Sequence, residues 1–215
     1  CIPDIVVSDV MMPIMNGITM CKMLKEDVRT SHIPIILLTA KDSLQDKEEG
    51  YQVGADSYLT KPFSATLLHS RINNLLESRK RLAERLNTNT PHHNMDEKRA
   101  LLADSLNKLD NEFLEKINRL IEDRLSSEKI DIGYLADNMC MSKSTLYRKM
   151  KALTGLSTNE YVRKIKMQYA ERLLLEGRYN VSEIAFRVGI NSVVYFRQCF
   201  KEEFGVLPSD YLKQP

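Results

Sequence analysis

The sequence predicts two units of different class, an α/β unit with a parallel sheet over residues 1–86 and an all-α unit over residues 111–215, joined by a linker over 87–110. Three observations predict it. In the first part, short apolar runs alternate with helix-like stretches, the pattern of parallel strands joined by right-handed crossovers. The run Asn-Thr-Asn-Thr-Pro-His-His-Asn, beginning at Asn87, is polar and turn-rich, as a linker is. Beyond it the chain reads as helix throughout and repeats itself at a spacing of about 50 residues.

Taken in order, Ile5-Val6-Val7, the run from Ile33 to Leu38, and Ser57-Tyr58-Leu59 read as buried strands. Residues 17–28 and 43–53 have helix-like composition between them, and 64–86 reads as a longer helix. On that helix Leu68, Ile72, Leu75, Leu82 and Leu86 keep a rhythm broken by Arg79. A face packed on its own sheet explains this better than a dimerising coil, although a homodimer stays open. In the second part, Asp131-Ile132-Gly133-Tyr134-Leu135-Ala136 aligns with Asn180-Val181-Ser182-Glu183-Ile184-Ala185, each opened by a residue able to cap a helix. With one extra residue in the second turn, Leu146 matches Phe196, Met150 matches Phe200, Gly155 matches Gly205 and Tyr161 matches Tyr211. Between the copies, 159–176 reads as one helix of ~27 Å, capped by Asn159 and stopped by Gly177.

Composition bounds the function. Hydrophobic residues make up 43% and charged residues 28%, ordinary for a globular protein. No apolar run approaches the ~20 residues of a membrane span, and no signal-peptide pattern opens the chain. Because the first residue is Cys1, the sequence is expected to begin inside a longer protein. Cys1, Cys21, Cys140 and Cys199 are too scattered for a metal site or a disulfide framework, and His92-His93 reads as solvated linker. The net charge is +2, with residues 1–86 balanced at 11 basic and 11 acidic side chains. The span 142–172 holds eight basic residues (Lys143, Arg148, Lys149, Lys151, Arg163, Lys164, Lys166, Arg172) against Glu160 and Glu171, which suits a polyanionic partner.

In open α/β sheets, chemistry collects beyond the carboxyl ends of the strands. The three strands here end at Asp9, Thr39 and Lys61. That set suits phosphoryl transfer to a carboxylate: Asp9 as nucleophile, Lys61 as the charge on a phosphoryl oxygen, Thr39 as a hydroxyl donor to another. A haloacid-dehalogenase-type phosphatase uses the same three residue types, but it needs a second acid two residues past the nucleophile, where this chain has Met11.

The segments Ser8-Asp9-Val10-Met11-Met12-Pro13-Ile14-Met15-Asn16-Gly17, Leu37-Leu38-Thr39-Ala40 and Gly54-Ala55-Asp56-Ser57-Tyr58-Leu59-Thr60-Lys61-Pro62-Phe63 resemble a response-regulator receiver domain, a flavodoxin-like fold. The resemblance implies that Asp9 is the phosphoacceptor and that Asp9 and the Met11 backbone carbonyl ligate Mg²⁺. It also implies that Thr39 and Tyr58 form a switch pair and that the Lys61–Pro62 peptide is cis. A whole receiver carries two further strands and a helix before this point, with its metal-binding acidic pair after the first strand. A partial receiver is therefore expected, with Mg²⁺ bound in the complete domain but not in this segment, which should phosphorylate poorly. Asp4 is no substitute, lying ~15 Å away at the start of the same strand.

Each repeat of the second part has the helix, tight turn and second helix of a helix-turn-helix, over about 131–153 and 180–204. The second helices would run 143–153 and 192–204. Lys143, Ser144, Tyr147 and Arg148 point outward on the first, with Thr145, Leu146, Met150 and Leu153 inward. Ser192, Val193, Val194, Arg197 and Gln198 point outward on the second, with Tyr195, Phe196, Cys199 and Phe200 packing. Such side chains can read base edges in a major groove. Residues 111–213 resemble an AraC-type DNA-binding domain, through Met141 to Gly155, Ser182 to Ile190 and Phe204-Gly205-Val206-Leu207-Pro208-Ser209-Asp210-Tyr211. Cys140 stands where that family's first turn commonly has glycine.

The combined resemblance is to the end of a Bacteroidetes hybrid two-component sensor. It implies a non-enzymatic, cytoplasmic transcription regulator whose partners are double-stranded DNA and a histidine kinase domain in the same polypeptide. The parent would be a hybrid histidine kinase anchored in the inner membrane.

Overall fold

A computed structural model describes residues 2–40, 52–87, 107–126 and 130–211. Most of the helix expected at 43–53 lies outside the described residues. So do Cys1, His92-His93 and the linker over 88–106.

Three parallel strands, β1 (Val6–Asp9), β2 (Ile35–Thr39) and β3 (Ser57–Thr60), form a sheet in the order β1-β2-β3. Ile35, Ile36 and Leu37 of the central strand are fully buried, which is why that stretch is apolar without alternation. Asp9 pairs with Leu38 and Thr39 with Thr60, so the three strands end almost level. Helix α1 (Gly17–Glu26) follows β1 and is capped by Asn16, whose Oδ1 accepts the Thr19 N–H at 2.6 Å. It stops two residues before the expected end because Asp27 is extended and holds Arg29 by an ion pair of 2.5 Å.

Helix α2 (Ala65–Asn87) corrects one expectation. Its face of Leu68, Ile72, Leu75, Arg79 and Leu82 is only half-buried, and the helix packs along the Lys143–Thr154 helix of the second unit rather than flat on the sheet. Arg79, which interrupts the apolar rhythm, donates to the His32 carbonyl and pairs with Asp56 at 3.4 Å.

The second unit is all helix: α3 (Lys108–Glu122), α4 (Ile132–Asn138), α5 (Lys143–Thr154), α6 (Thr158–Glu176), α7 (Val181–Arg187), α8 (Val193–Phe204) and α9 (Pro208–Tyr211). Helix α3 begins inside the stretch expected as linker. Asn107 caps it, and Phe113, Leu114, Ile117 and Ile121 give it a buried face. Two cores share α6. Val162 and Ile165 join α3, α4 and α5, whereas Met167, Ala170, Leu173 and Leu174 join α7, α8 and Tyr211. The cap of α6 is Ser157, not Asn159, because Glu160 closes a capping box on Ser157. Gly155, Gly177 and Gly205 end α5, α6 and α8 in the left-handed region, at φ 71°, 67° and 78°.

Candidate phosphoryl site and nucleic-acid interface

At the carboxyl edge of the sheet, the Val10 N–H reaches the Leu38 carbonyl at 2.8 Å and the Lys61 N–H reaches the Thr39 carbonyl at 2.8 Å. This ladder brings Asp9, Thr39 and Lys61 to one edge, and the Lys61–Pro62 peptide is cis. Lys61 Nζ is ion-paired with Asp9 Oδ2, and the Met11 N–H donates to Asp9 Oδ1 at 3.1 Å. The Lys61 ammonium, then the Met11 amide, hold the Asp9 carboxyl below the usual carboxylate range. Thr39 is buried and its hydroxyl donates to the Ala40 carbonyl at 3.1 Å, while Tyr58 is half-buried. Gly17 sits beneath Asp9: its N–H donates to the Val10 carbonyl at 2.9 Å, and an added Cβ would collide with the Asp9 carbonyl oxygen.

The same edge tests a metal. Mg²⁺ takes a near-octahedral set of oxygen ligands, commonly with one or two carboxylates. Among the described residues, no group of three or more His, Cys, Asp or Glu side chains converges on any point. The Asp9 carboxylate is engaged by Lys61 and Met11. With Asp9 so engaged, the described residues do not by themselves supply the several oxygen ligands of a Mg²⁺ site.

The two helical units have one geometry. Asp131 Oδ1 accepts from the Gly133 N–H at 2.9 Å, and Asn180 Oδ1 accepts from Ser182 and Glu183 at 3.0 and 2.9 Å. Each turn is closed by two backbone bonds: Cys140 to Asp137 and Met141 to Ala136, both 3.0 Å, against Gly189 to Phe186 and Ile190 to Ala185, both 2.9 Å. Cys140 adopts φ 53° where Gly189 adopts 65°, so the first turn keeps its shape at the cost of a strained cysteine. Ser142 and Ser192 then cap the second helices, accepting from Thr145 and Tyr195 at 3.1 and 3.2 Å.

Lys143, Ser144, Tyr147 and Arg148 are exposed on α5, as are Ser192, Val194, Arg197 and Gln198 on and before α8, with Val193 half-buried. Gln198 Nε2 donates to Glu202 at 3.1 Å, and Arg163 of α6 pairs with Glu202 at 3.7 Å. Two expectations are corrected. Tyr195 is 50% exposed rather than packed, because Phe196, Cys199 and Phe200 already fill the inner face of α8. Thr145 is half-buried.

Burial also lowers the surface charge of the helical unit. Of the eight basic residues in 142–172, Lys149, Lys164 and Lys166 are buried. Lys164 lies 4.0 Å from Glu203, and Lys166 points at the Gly189 carbonyl at 3.5 Å. Arg172 is exposed but lies 3.7 Å from Glu122. The exposed basic side chains of the span are Lys143, Arg148 and Lys151 on α5 and Arg163 and Arg172 on α6, a smaller surface excess than the sequence count suggested.

Sequence reasoning missed a polar cluster between the two units. Lys149 of α5 is ion-paired with Asp110 of α3, and both are buried. Ser31, from the loop before β2, donates to Asp110 Oδ1 at 2.7 Å and accepts from Lys149 Nζ at 2.9 Å. Asn107 Nδ2 donates to the Ser31 carbonyl at 3.1 Å and to Asp110 Oδ2 at 2.8 Å. Burial drives the Lys149 ammonium below the ordinary lysine range, with Asp110 opposing. The available signal was spacing: Leu146, Lys149, Met150 and Leu153 share one helix face.

Comparison with known proteins separates the same two parts. Residues 2–73 match the response regulator receiver domain family, and residues 135–214 match a helix-turn-helix domain family. A protein named histidine kinase P4, from Formosa agariphila, is 37% identical over 210 residues, covering 98% of this chain and 15% of that protein. The heme response regulator HssR of Staphylococcus saprophyticus is 50% identical over 74 residues, covering 34% of this chain and 32% of that protein. Among solved structures, the C-terminal domain of AraT, a response regulator from Geobacillus stearothermophilus, is 30% identical. It covers 47% of this chain and 84% of its own, with a TM-score of 0.43. The chain thus spans a third or less of the length of the two whole proteins it resembles here. No helix among the described residues is long and apolar enough to cross a membrane. The first part of the chain is thus similar to response regulator receiver domains, and the second to helix-turn-helix domains.

Proposed function

We propose that this chain is the output end of a phosphorelay, a sequence-specific transcription regulator that binds double-stranded DNA under control of aspartyl phosphorylation. The observation that carries the reading is the pair of like-built helix-turn-helix units on one helix, each with exposed polar side chains along its second helix. Helix α6 has 19 residues, ~28 Å, near the ~34 Å between successive major grooves on one face of a duplex. Lys143, Ser144, Tyr147 and Arg148 would enter one groove, and Ser192, Val193, Val194, Arg197 and Gln198 the next.

Asp9 is the phosphoacceptor in this reading. One carboxylate oxygen attacks phosphorus on a phosphohistidine, the P–N bond breaks, and the imidazole leaves with the electron pair and takes a proton. Lys61, already paired with Asp9, passes to a phosphoryl oxygen of the acyl phosphate, and Thr39 and Tyr58 respond to the new group. Receiver domains generally use Mg²⁺ for this step, and Asp9 with the Met11 carbonyl would be this chain's share of the ligands. The 37% identity to a protein named a histidine kinase, across nearly the whole chain, supports a kinase partner, and in this reading the kinase domain precedes the receiver in one parent polypeptide. Such a parent would be anchored in the inner membrane and hold this end in the cytoplasm, and neither of the two domains here is itself an enzyme.

Enrichment of duplexes from a random pool, followed by fluorescence anisotropy across a salt series, tests the reading. The expected outcome is one enriched sequence class, with affinity falling steeply as salt rises. Arg197→Ala should cost roughly 1–3 kcal/mol and relax preference at one position. No enrichment and no salt-dependent binding would leave an interaction module instead.

A further inference from the structure

We propose that the receiver segment latches the first helix-turn-helix unit, with Ser31 seated on the Lys149–Asp110 pair and α2 lying along the Arg148 side of α5. The inference rests on the DNA-binding reading and names how that site is regulated.

The latch is built, not incidental. Ser31 is fully buried and uses its hydroxyl twice, donating to Asp110 and accepting from Lys149, while its carbonyl takes the Asn107 amide. Val28, from the same loop, packs against the core of the first unit. Arg79 of α2 holds the loop from the other side through the His32 carbonyl. Both charges of the pair belong to the helix-turn-helix unit, on α3 and α5. The receiver therefore contributes the cover, and on leaving it lets water reach an ion pair that stays intact. Burying a pair carries a desolvation penalty that water removes. A contact of this kind is specific in register, and opening it leaves no charge without its partner.

Its position makes it a competitor of DNA. A cavity of ≈ 250 Å³ separates Leu76, Lys80 and Ala83 of α2 from Arg148, Lys151 and Ala152 of α5. At about 100° per residue, Arg148 and Ala152 lie about 40° apart on the α5 surface. The flank beside α2 therefore includes Arg148, a candidate reader. A helix with its side chains is about 10–12 Å across and fills a major groove about 12 Å wide. A second helix along that flank leaves no room for the groove wall. Latched, the chain presents only its second unit.

A reversible bridge tests this in the whole 215-residue chain. Lys80→Cys and Ala152→Cys, in a background of Cys1→Ser and Cys140→Ser, are joined with a short, reducible bifunctional thiol reagent. The probe is the duplex enriched from the random pool. The bridged chain should bind it roughly a hundredfold more weakly than the reduced chain, the scale lost when one of two linked modules is withheld. Ser31→Glu, which sets a second carboxylate against Asp110, should bind more tightly than the parent and speed hydrogen exchange in α2. Circular dichroism of that variant checks its fold, and the bridge stands as a test without it. Equal binding by bridged and reduced chains overturns the latch alone. Absence of binding by every form overturns the DNA-binding reading, and the latch with it.

Discussion

Lys149→Met measures the buried pair most directly. Lys149 is 0% exposed and Asp110 1%, so each charge depends on the other and on a few fixed dipoles. Methionine keeps most of the lysine stem but removes the ammonium, leaving the Asp110 carboxylate with the Ser31 hydroxyl and the Asn107 amide as its side-chain donors. Removing one member of a buried pair typically costs about 3–5 kcal/mol, and those two surviving donors place the expected loss near the lower end, about 3 kcal/mol. Asp110→Asn is nearly isosteric and strands the ammonium against Ser31 Oγ and the Phe113 ring 4.9 Å away, at a similar cost. In the double variant no charge is buried, so its loss should fall short of the sum by about 2 kcal/mol or more. Urea unfolding followed by far-ultraviolet circular dichroism on all four chains gives the cycle. Losses that add to within about 0.5 kcal/mol would refute the coupling. A loss under about 1 kcal/mol for Lys149→Met would show that water reaches the pair.

Three other predictions concern backbone and proton. Cys140→Gly should raise stability by about 1 kcal/mol in the same urea assay, since the left-handed backbone at φ 53° costs a side chain about that much, less some unfolded-chain entropy. Gly17→Ala should cost at least roughly 1–3 kcal/mol and lower phosphotransfer to Asp9 in the full-length parent, because its Cβ meets the Asp9 backbone, which cannot swing away as a side chain would. Intact mass after incubation with a phosphodonor reads the second effect. His32 is buried, with its Nδ1 lacking a hydrogen-bond partner among the described residues, and burial, then Lys149, lower its pKa from 6.5 to about 4. The unfolded chain therefore takes up the proton first as pH falls. The His32 contribution is complete above pH 6.5 and is lost toward about pH 4, a total of about 3 kcal/mol. His32→Asn should flatten that part of the stability–pH curve, and an unchanged slope would count against a neutral, buried imidazole.

What the sequence made legible follows from short-range rules. Parallel strands buried on both faces are apolar runs, so their ends could be read to within a residue or two, and with them the Asp9, Thr39 and Lys61 edge. The repeat was legible because capping and turn closure demand particular residues at fixed offsets: Asp131 and Asn180, Ala136 and Ala185, Gly155 and Gly205. The misplaced cap of α6 shows where such rules run out. Ser157 and Asn159 are both good caps, and only the reach of the Glu160 carboxylate back to the Ser157 N–H, at 2.7 Å, decides between them. Charge counting failed for a different reason. A lysine reads the same whether its ammonium meets water, as at Lys151, or a carboxylate from a helix some 40 residues earlier, as at Lys149. Long-range partners of this kind leave only the spacing of their apolar neighbours as a trace.

The sharing of α6 bears on how far such a latch can control the whole chain. Its first half completes the core of one unit and its second half the core of the other, so neither unit can turn about α6 without breaking a packed interface. The receiver touches the first unit through Ser31 and Val28, and α2 lies on α5, while the core around Phe196, Phe200 and Tyr211 is built from α6, α7, α8 and α9. Control through this contact is therefore asymmetric: it withholds one reader and leaves the other presented. The rigid spacing sets the size of the effect. On a fixed rod the second contact forms without further search once the first is made, so losing it forfeits an effective concentration rather than a second independent affinity. A regulator built this way keeps a weak hold on its site when latched and gains most of its affinity when Ser31 lets go.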